Sequence, residues 1–251
     1  MPQGVCFGAD DTLYVADAEN HTIHEVDLST GEVLAIAGTG EQLRTREDMR
    51  AGSLSSPWDI ALVGDTLWIA MAGIHQIWGL PMDGDGARAT HRIGSGAEEI
   101  HDAPHAEAAL AQPMGITADG NRLYFVDAES SAVRWAHVDR AGRVGTIVGT
   151  GLFDFGDKDG VGDDVRMQHQ QGLALHSDGR LLVADSYNDA LKWVDPKTRR
   201  ADTWLRGFAE PSGVAISNGL AYVADTNAHR IVVARLDAVE VWDLELAFEV
   251  E

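Results

Sequence analysis

Four aspartates between residues 154 and 163 form the densest group of carboxylates in the chain: Asp154, Asp157, Asp159 and Asp163. The order Asp-Lys-Asp-Gly at 157–160 matches part of a calcium-binding loop, because hard cations bind several oxygen atoms and glycine permits a sharp turn. The complete twelve-residue pattern with its terminal Glu is missing. Two interpretations stay open, a site for Ca²⁺ or another divalent cation and a solvated acidic loop, and the incomplete spacing favours the loop.

The sequence carries none of the common catalytic motifs. It has no Gly-x-Ser-x-Gly nucleophile elbow, no phosphate-binding loop and no dinucleotide fingerprint. The single cysteine, Cys6, lies in an apolar stretch, which predicts a buried and unreactive thiol. No residue is therefore assigned a catalytic role, and no cofactor is expected apart from the divalent cation considered above.

The charge balance limits the partners that the protein can have. Its 251 residues include 40 Asp and Glu against 19 Lys and Arg, which gives a net charge of -21. Nucleic-acid binding normally requires a basic face, so we expect no nucleic-acid partner. No run of 18 apolar residues is present and the first residues lack the features of a secretory signal. We therefore expect a soluble, cytoplasmic protein without a membrane partner.

The elements that must position any functional side chain come from five copies of one sequence motif. They are centred on Val15, Ile69, Phe125, Val183 and Val223, 40 to 58 residues apart. Each copy offers four short strands separated by Gly-, Asn- and Asp-containing turns. Four antiparallel strands per copy, arranged radially, predict an all-β propeller. A β-sandwich is the alternative, and the close similarity of the copies disfavours it.

The repeats run from one end of the chain to the other. They predict a single propeller domain over residues 1–251, with blades at about 1–40, 57–96, 113–151, 170–207 and 211–250. Long connections at 41–56, 97–112 and 152–169 separate the first four blades. By strand order these connections share one end of the propeller, the top face, with the turns between second and third strands. Loops on a rigid scaffold carry function, so the top face is the candidate surface.

The recurring residues resemble a known repeat. Ala-Asp-x-x-Asn-His-x-Ile at 16–23, with Pro-x-Gly before it and Ala-Gly-Thr-Gly at 37–40 after it, resembles the NHL repeat over nearly the whole chain. Ser-Pro-Trp-Asp at 56–59 and Gly-Thr-Gly-Leu-Phe-Asp-Phe-Gly-Asp at 149–157 resemble the NHL propeller that follows a thioredoxin-like domain in a family of fused proteins. The resemblance implies a propeller that is accessory to a redox domain.

The chain departs from that family in two respects. It has no thioredoxin-like domain with its Cys-x-x-Cys pair, and it shows five repeats where the family propeller has six blades. Two forms of ring stay open, five blades closed on themselves or a six-bladed parent that lacks one, and we favour the second. An open ring would expose two apolar blade faces, which predicts a homo-oligomer.

Two columns of the repeat carry polar residues that recur. Asp17, Asp127, Asp185 and Asp225 share one position, with Met71 in the remaining copy, and His21, His75 and His229 share another. A catalytic residue does not need several copies. We therefore expect the aspartates to bond backbone amides of the turns, and the histidines to have a structural role as well.

A further set of residues opens the innermost strands at the mouth of the central channel, where propellers commonly bind ligands. Asp59 stands in this set where the other four copies have glycine. We expect the set to hold a small polar ligand, and a water-filled mouth is the alternative. Its members are Gln3, Trp58, Asp59, Met114, Gln171 and Ser212, with His169 beside them.

These features predict a non-catalytic binding or scaffold propeller that presents its acidic, loop-rich top face to a protein partner or a small ligand. The alternative is a metal-dependent hydrolase or lyase, in which a cation at the channel mouth polarises a carbonyl or activates water. Asp59 and His169 would then be the first residues to test. The resemblance also extends to NHL propellers that bind RNA beside RING-type ligase domains, but the acidic composition disfavours that function.

Overall fold

The computed structural model describes residues 1–82, 91–238 and 240–245. These residues form five antiparallel sheets, and in each sheet the four main strands pair in the order of the sequence. The predicted propeller with five four-stranded blades is confirmed. Residues 83–90 of the predicted second blade, and 239 and 246–250 of the fifth, lie outside the described residues.

Each blade is one continuous stretch of chain. Blade 1 comprises β1 (Pro2–Phe7), β2 (Thr12–Asp17), β3 (Thr22–Asp27) and β4 (Val33–Ala37). Blade 2 comprises β5 (Pro57–Val63), β6 (Thr66–Met71), β7 (Gln76–Pro81) and β8 (His91–Ile93). Blade 3 comprises β9 (Pro113–Asp119), β10 (Arg122–Asp127), β11 (Ala132–His137) and β12 (Val144–Val148).

The last two blades follow the same plan. Blade 4 comprises β14 (Gly172–Leu175), β15 (Leu181–Asp185), β16 (Ala190–Asp195) and β17 (Arg200–Arg206), and β13 (Gly160–Val161) adds a fifth strand at its outer edge. Blade 5 comprises β18 (Pro211–Ser217), β19 (Leu220–Asp225), β20 (Arg230–Arg235) and β21 (Val241–Asp243). Short 3₁₀ turns occur at Ala72–Ile74, Ala128–Ser130, Gly162–Asp164, Ser186–Asn188 and Thr226–Ala228.

Local sequence explains the hairpins and the helix between blades 1 and 2. The two-residue loop Asn218-Gly219 between β18 and β19 has φ of 50° and 76°, the left-handed values that a tight hairpin requires. Helix α1 (Arg46–Ala51) lies in the connection between blades 1 and 2. Thr45 and Asp48 form a capping box at its start, and Gly52 ends it in the left-handed conformation.

Apolar side chains form one cluster between each pair of consecutive blades. Ile23 and Ile69 meet between blades 1 and 2, and Ile77 and Phe125 between blades 2 and 3. The cluster between blades 3 and 4 contains Val126 and Val183, and the cluster between blades 4 and 5 contains Leu182 and Val223. Burial of these side chains holds the blades in a radial order.

Blade 5 does not pack against blade 1 in the same way. No core cluster joins these two blades among residues 1–82, 91–238 and 240–245. Phe7 is 73% exposed and Val5 58% exposed on the free face of blade 1. Tyr222 and Trp242 both pair with Val233 of β20. They therefore lie on the face of blade 5 that does not contact blade 4. The ring therefore has an open side, bounded by these two faces.

Candidate functional site

The top face is held together by backbone hydrogen bonds within each blade. The 3₁₀ turn after the second strand donates to the lead-in, the residues that immediately precede the innermost strand of the same blade. In blade 2 the Ala72 amide donates to the Ser56 carbonyl (3.1 Å), and in blade 3 the Ala128 amide donates to the Gln112 carbonyl (3.0 Å). Turns and lead-ins therefore share one end of the propeller.

The recurring aspartates fix these lead-ins. In blades 3, 4 and 5 an aspartate Oδ1 accepts the amide hydrogen of a lead-in residue at 2.6–2.8 Å. In blade 1 the N-terminal ammonium of Met1 donates to Asp17 Oδ1 at 2.6 Å. The column has a structural geometry: it pairs with lead-in groups, and in blades 1 and 4 its Oδ2 also accepts a hydrogen bond from the side-chain amide of an asparagine in its own turn, Asn20 or Asn188. The three amide pairs are Asp127 with Ala111, Asp185 with Gln168, and Asp225 with Ala209.

The second recurring column links each blade to the next. Its side chain accepts the amide hydrogen of the lead-in residue of the following blade, and we call this bond the inter-blade staple. The staples are His21 Nδ1 with Ser56 (3.0 Å), His75 Nδ1 with Gln112 (3.1 Å), Ser131 Oγ with His169 (3.4 Å) and Asp189 Oδ1 with Glu210 (2.9 Å). All four donors have positive φ, between 46° and 65°. The imidazoles accept through Nδ1 only while that nitrogen is unprotonated.

The acidic run surrounds a buried lysine that the sequence analysis missed. Lys192 Nζ, on a side chain with no exposed surface, binds Asp157 Oδ1 at 2.7 Å and Asp159 Oδ1 at 2.9 Å. The carboxylate of Asp185 lies 3.8 Å from the same nitrogen. Burial lowers the pKa of Lys192, but the bonds to Asp157 and Asp159 outweigh it and raise the pKa above its usual value. The lysine is therefore charged and compensated by three carboxylates.

The other two aspartates of the run have different partners. Asp154 binds Thr150 and lies 3.4 Å from Arg166 Nε, and Asp163 binds Arg199 Nη2 at 2.7 Å. The structure thus brings Asp157 and Asp159 together and leaves the other two apart. Within the described part of the chain, no group of three His, Cys, Asp or Glu side chains is placed to hold a metal ion. In the structure the run acts as a set of salt bridges.

Blade 3 repeats the same arrangement with an arginine. Arg134, also without exposed surface, binds Asp127 Oδ2 at 2.7 Å and Asp102 Oδ1 at 3.0 Å. Asp102 also accepts the amide and hydroxyl hydrogens of Thr146, as Asp159 accepts those of Thr203. Each buried cation lies seven residues after the recurring aspartate, on the neighbouring strand. Blade 2 has Met71 and Trp78 at the same two positions, so the ion pair is replaced by an apolar pair.

The predicted channel-mouth residues largely converge on one cavity. A cavity of about 620 Å³ runs along the channel between the innermost strands and extends to the open side, where Phe7 and Tyr222 line it. Five of the seven predicted residues line this cavity: Gln3, Trp58, Asp59, Gln171 and Ser212. Met114 lies instead in the core between blades 3 and 4, where it is 5% exposed.

His169 lies away from the cavity, on the top face at the boundary of blades 3 and 4. Its ring stacks on Tyr187, with centroids 4.6 Å apart. Its Nε2 lies 3.4 Å from Glu129 Oε1, and its backbone amide donates the staple to Ser131. The structure therefore does not bring His169 and Asp59 together.

Asp59 is the feature that distinguishes the channel. Its Oδ1 accepts the amide hydrogen of Ile60 and its Oδ2 that of Ile116 in blade 3, both at 2.9 Å. Gly4 of blade 1 faces the carboxylate, and a Cβ there would overlap it. Burial raises the pKa of Asp59 to about 7, and the two amide bonds only partly oppose this. Burial, with a smaller contribution from Asp59, raises the pKa of the nearby Cys6 thiol to about 12, so the thiol is neutral and unreactive.

Membrane insertion by a helix finds no support in the structure. None of the helices described in the chain has the length and apolar character that crossing a bilayer requires.

Comparisons with known proteins agree with the fold. A family model described as NHL repeat matches residues 1–25 and 208–234. The chain is 39% identical over 286 residues to NHL repeat-containing protein 2 of Homo sapiens, covering 94% of this chain and 39% of that protein. It is 37% identical over 258 residues to Protein SUPPRESSOR OF QUENCHING 1, chloroplastic, of Arabidopsis thaliana, covering 90% of this chain and 24% of that protein. The chain thus spans less than half the length of these relatives.

Solved structures of low sequence identity share the architecture. A chain of a nidogen/laminin complex superimposes with a TM-score of 0.68 at 20% identity, covering 94% of this chain and 76% of that chain. A streptogramin B lyase superimposes with a TM-score of 0.65 at 14% identity, covering 98% of this chain and 69% of that chain. At such identities the likeness concerns the fold alone.

Proposed function

Because this chain belongs to the NHL-repeat family of β-propellers, we propose that it is a non-catalytic binding module that presents its acidic top face to a protein partner. The observation that carries the proposal is an uncompensated group of carboxylates, the acidic patch, formed by Glu98, Glu99 and Glu129. Glu98 and Glu99 are exposed and have no salt bridge among the described residues. Glu129 Oε1 lies 3.4 Å from His169 Nε2, and no Lys or Arg of the described residues forms a salt bridge with it.

The acidic patch is held on a rigid base. The Glu99 amide donates to the Leu110 carbonyl (3.3 Å) and the Glu129 amide to the adjacent Ala111 carbonyl (3.0 Å), so the two glutamates are fixed by neighbouring residues. The Ala111 amide is itself bound by the buried Asp127. A preformed surface loses little conformational entropy on binding, and its charge favours a partner with a basic patch.

We expect the partner to be a thioredoxin-like protein, because the phrases at 56–59 and 149–157 resemble propellers fused to such a domain. Within the same proposal the module acts in the cytoplasm. A fluorescent fusion expressed in cells tests the compartment, and concentration in any organelle would contradict it.

A charge-neutralising variant tests the proposed surface. Glu98→Gln/Glu99→Gln should weaken capture of the partner at least tenfold and reduce the salt dependence of binding, because two of the steering charges are lost. Asp10→Asn/Asp11→Asn is the matched control, since it removes two exposed charges from a turn at the other end of the propeller. Purified thioredoxin-like protein is the probe, measured by biolayer interferometry at two salt concentrations. Equal binding by both variants would contradict the proposal.

The channel cavity supports a second binding role, for a small ligand. Five predicted residues line it, and they combine polar groups at the mouth with apolar walls, as ligand sites do. The metal-dependent hydrolase or lyase is less well supported, because Asp59 and His169 lie apart and no metal-ligating cluster occurs among the described residues. Elemental analysis of protein purified without chelator tests that alternative, since a stoichiometric divalent metal would favour it.

A further inference from the structure

Among the described residues that line the channel cavity, one has a carboxylate and none has a cationic side chain. Asp59 is the only charged side chain among the described residues that line it. Its two oxygens are held by the amides of Ile60 and Ile116, so the group is fixed in position and remains open to the cavity. No Lys, Arg or His of the described residues forms an ion pair with it.

Other buried aspartates in this molecule are treated differently. Asp127 has Arg134 at 2.7 Å, and Asp185 lies 3.8 Å from Lys192. A buried carboxylate without a counter-charge is costly even when amides bind it, and proteins usually pair it with a cation. Beside Asp59 lies the cavity, and none of the described residues that line it is Lys, Arg or His.

The walls of the cavity indicate what kind of cation would fit. Trp58, Tyr222 and Phe7 contribute aromatic surface, and Ile116 contributes aliphatic surface. A hydrated metal ion gains nothing from such walls, whereas an organic cation with an apolar body can contact them and place its charge near aromatic rings. The volume of about 620 Å³ is within the range of small-ligand sites.

We propose that the central cavity binds an organic ammonium ion, with the charged nitrogen on the Asp59 carboxylate and the apolar body against the aromatic walls. This inference rests on the proposed ligand-binding role of the channel and names the chemical class of its ligand. The same ammonium chemistry occurs in free amines and in lysine side chains of peptides, and one probe of each kind separates the two sources.

Proton linkage gives the site a recognisable signature. Because burial raises the pKa of Asp59 to about 7, the carboxyl is largely neutral at pH 5.5 and largely ionised above pH 7. The other titratable side chains facing the cavity are Cys6 on β1, with a pKa of about 12, and Tyr222 on β19; the lining residues of blades 3 and 4 contribute none. Ammonium affinity should therefore rise roughly tenfold per pH unit below the pKa and level off above it.

Isothermal titration calorimetry on the full chain tests the proposal. The probes are benzylamine for a free amine and Nα-acetyl-lysine amide for a peptide side chain, with benzyl alcohol and benzoate as neutral and anionic counterparts. We expect benzylamine or the lysine derivative to bind at least tenfold more tightly at pH 7.5 than at pH 5.5, and benzyl alcohol and benzoate to bind far more weakly. Whichever amine binds more tightly identifies the source.

Variants extend the test. Asp59→Asn should lose at least tenfold in benzylamine affinity and lose its pH dependence, whereas Asp65→Asn, on the same hairpin, should change neither. If Asp59→Asn does not fold, the pH series on the unaltered protein decides the matter alone.

Equal affinity for benzylamine and benzyl alcohol, or pH-independent amine binding, would overturn the ammonium assignment. Tight binding of benzoate or benzyl alcohol would leave the channel as a ligand site but contradict this choice of ligand. Absence of saturable binding by all four probes would contradict the channel role as well, while binding of the protein partner at the acidic patch would be unaffected.

Discussion

At Asp59 a carboxylate occupies a position where the other four repeats have glycine. The substitution is accommodated because blade 1 has Gly4 opposite it and blade 3 supplies the amide of Ile116. One side chain thus contacts three blades at the channel. The sequence identified Asp59 by its departure from the repeat, but the contacts to Gly4 and Ile116 depend on how neighbouring blades pack.

Replacement of Asp59 should change how stability depends on pH. The folded-state pKa of about 7 lies above the usual value of 3.8, so the folded state binds the proton more tightly than the unfolded state does. The protonated carboxyl therefore stabilises the fold below pH 4, and this contribution is lost as the pH rises to about 7. Relative to Asp59→Asn, the free energy of unfolding should fall by roughly 2–4 kcal/mol over that range.

Urea denaturation at pH 4, 5, 6 and 7 measures this difference. Asp65→Asn on the same hairpin is the control and should follow the unaltered protein throughout. Parallel pH curves for Asp59→Asn and the unaltered protein would show that the Asp59 pKa is not raised.

Replacement of the buried lysine should be far more damaging than replacement of a surface lysine. Lys192→Met leaves Asp185 buried without its cation and removes the positive charge that Asp157 and Asp159 share. We expect a loss of about 3–5 kcal/mol in the free energy of unfolding. Lys197→Met, at an exposed position, should change it by less than about 0.5 kcal/mol. Equal effects in urea denaturation would contradict the network.

The two buried cations show a limit of sequence reasoning at the residue scale. Lys192 and Arg134 interrupt the apolar alternation of the third strands. A charged residue at such a position, taken alone, predicts a side chain that faces solvent. Their burial follows from the connections 97–112 and 152–169, which fold over the outer strands and bring Asp102 and Asp159 to them. One sequence signal was present, since Met71 and Trp78 replace both members of the pair in blade 2.

At the scale of elements, the inter-blade staples give the propeller its register. Each staple satisfies the amide of a residue in the left-handed conformation, shortly before an innermost strand. Turn chemistry and strand positions could be predicted from sequence, because Asn-Gly, Asp-Gly and alternating apolar residues are local signals. The acceptors of the staples could not, because His75 and Gln112 are 37 residues apart. For the same reason, the short strand β13 at the edge of blade 4 was not predicted.

Two histidines of the second recurring column provide a variant and its matched control. His75→Ala removes the acceptor of the Gln112 amide, whereas His229→Ala changes the same column in blade 5, where no donor is found among the described residues. Both histidines have φ near 54°, so the backbone cost of alanine is common to the two variants. The free energy of unfolding should fall by about 1–2 kcal/mol more for His75→Ala. Thermal or urea denaturation measures the difference, and equal losses would show that the staple contributes nothing.

At the scale of the whole molecule, the repeat count predicted five blades, and five are present. Whether the first and last blades join is a different question, because it depends on the angle at which blades pack. That angle is set by the sizes of side chains in all four inter-blade clusters together. The spacing of the repeats in the sequence does not determine this packing angle. The structure shows an open side with Val5 and Phe7 exposed.

The open side should promote association between copies of the chain. An exposed apolar face of this kind is a common cause of association. Val5→Thr/Phe7→Ser should shift the weight-average sedimentation coefficient toward the monomer value at high protein concentration. Phe153→Ser is the matched control, because Phe153 is 89% exposed on a top-face loop and lies away from the open side. If the control variant reduces association equally, the open side is not the contact.

The open side also changes how the molecule resists force. In a closed ring no blade can leave without breaking two neighbouring cores, whereas here blades 1 and 5 each share only one core among the described residues. A load on the C terminus would detach blade 5 by breaking one core and the Asp189–Glu210 staple, leaving the other three staples intact. Under tension the protein would extend in steps of one blade, from its ends toward blade 3, as a linear array of repeats does.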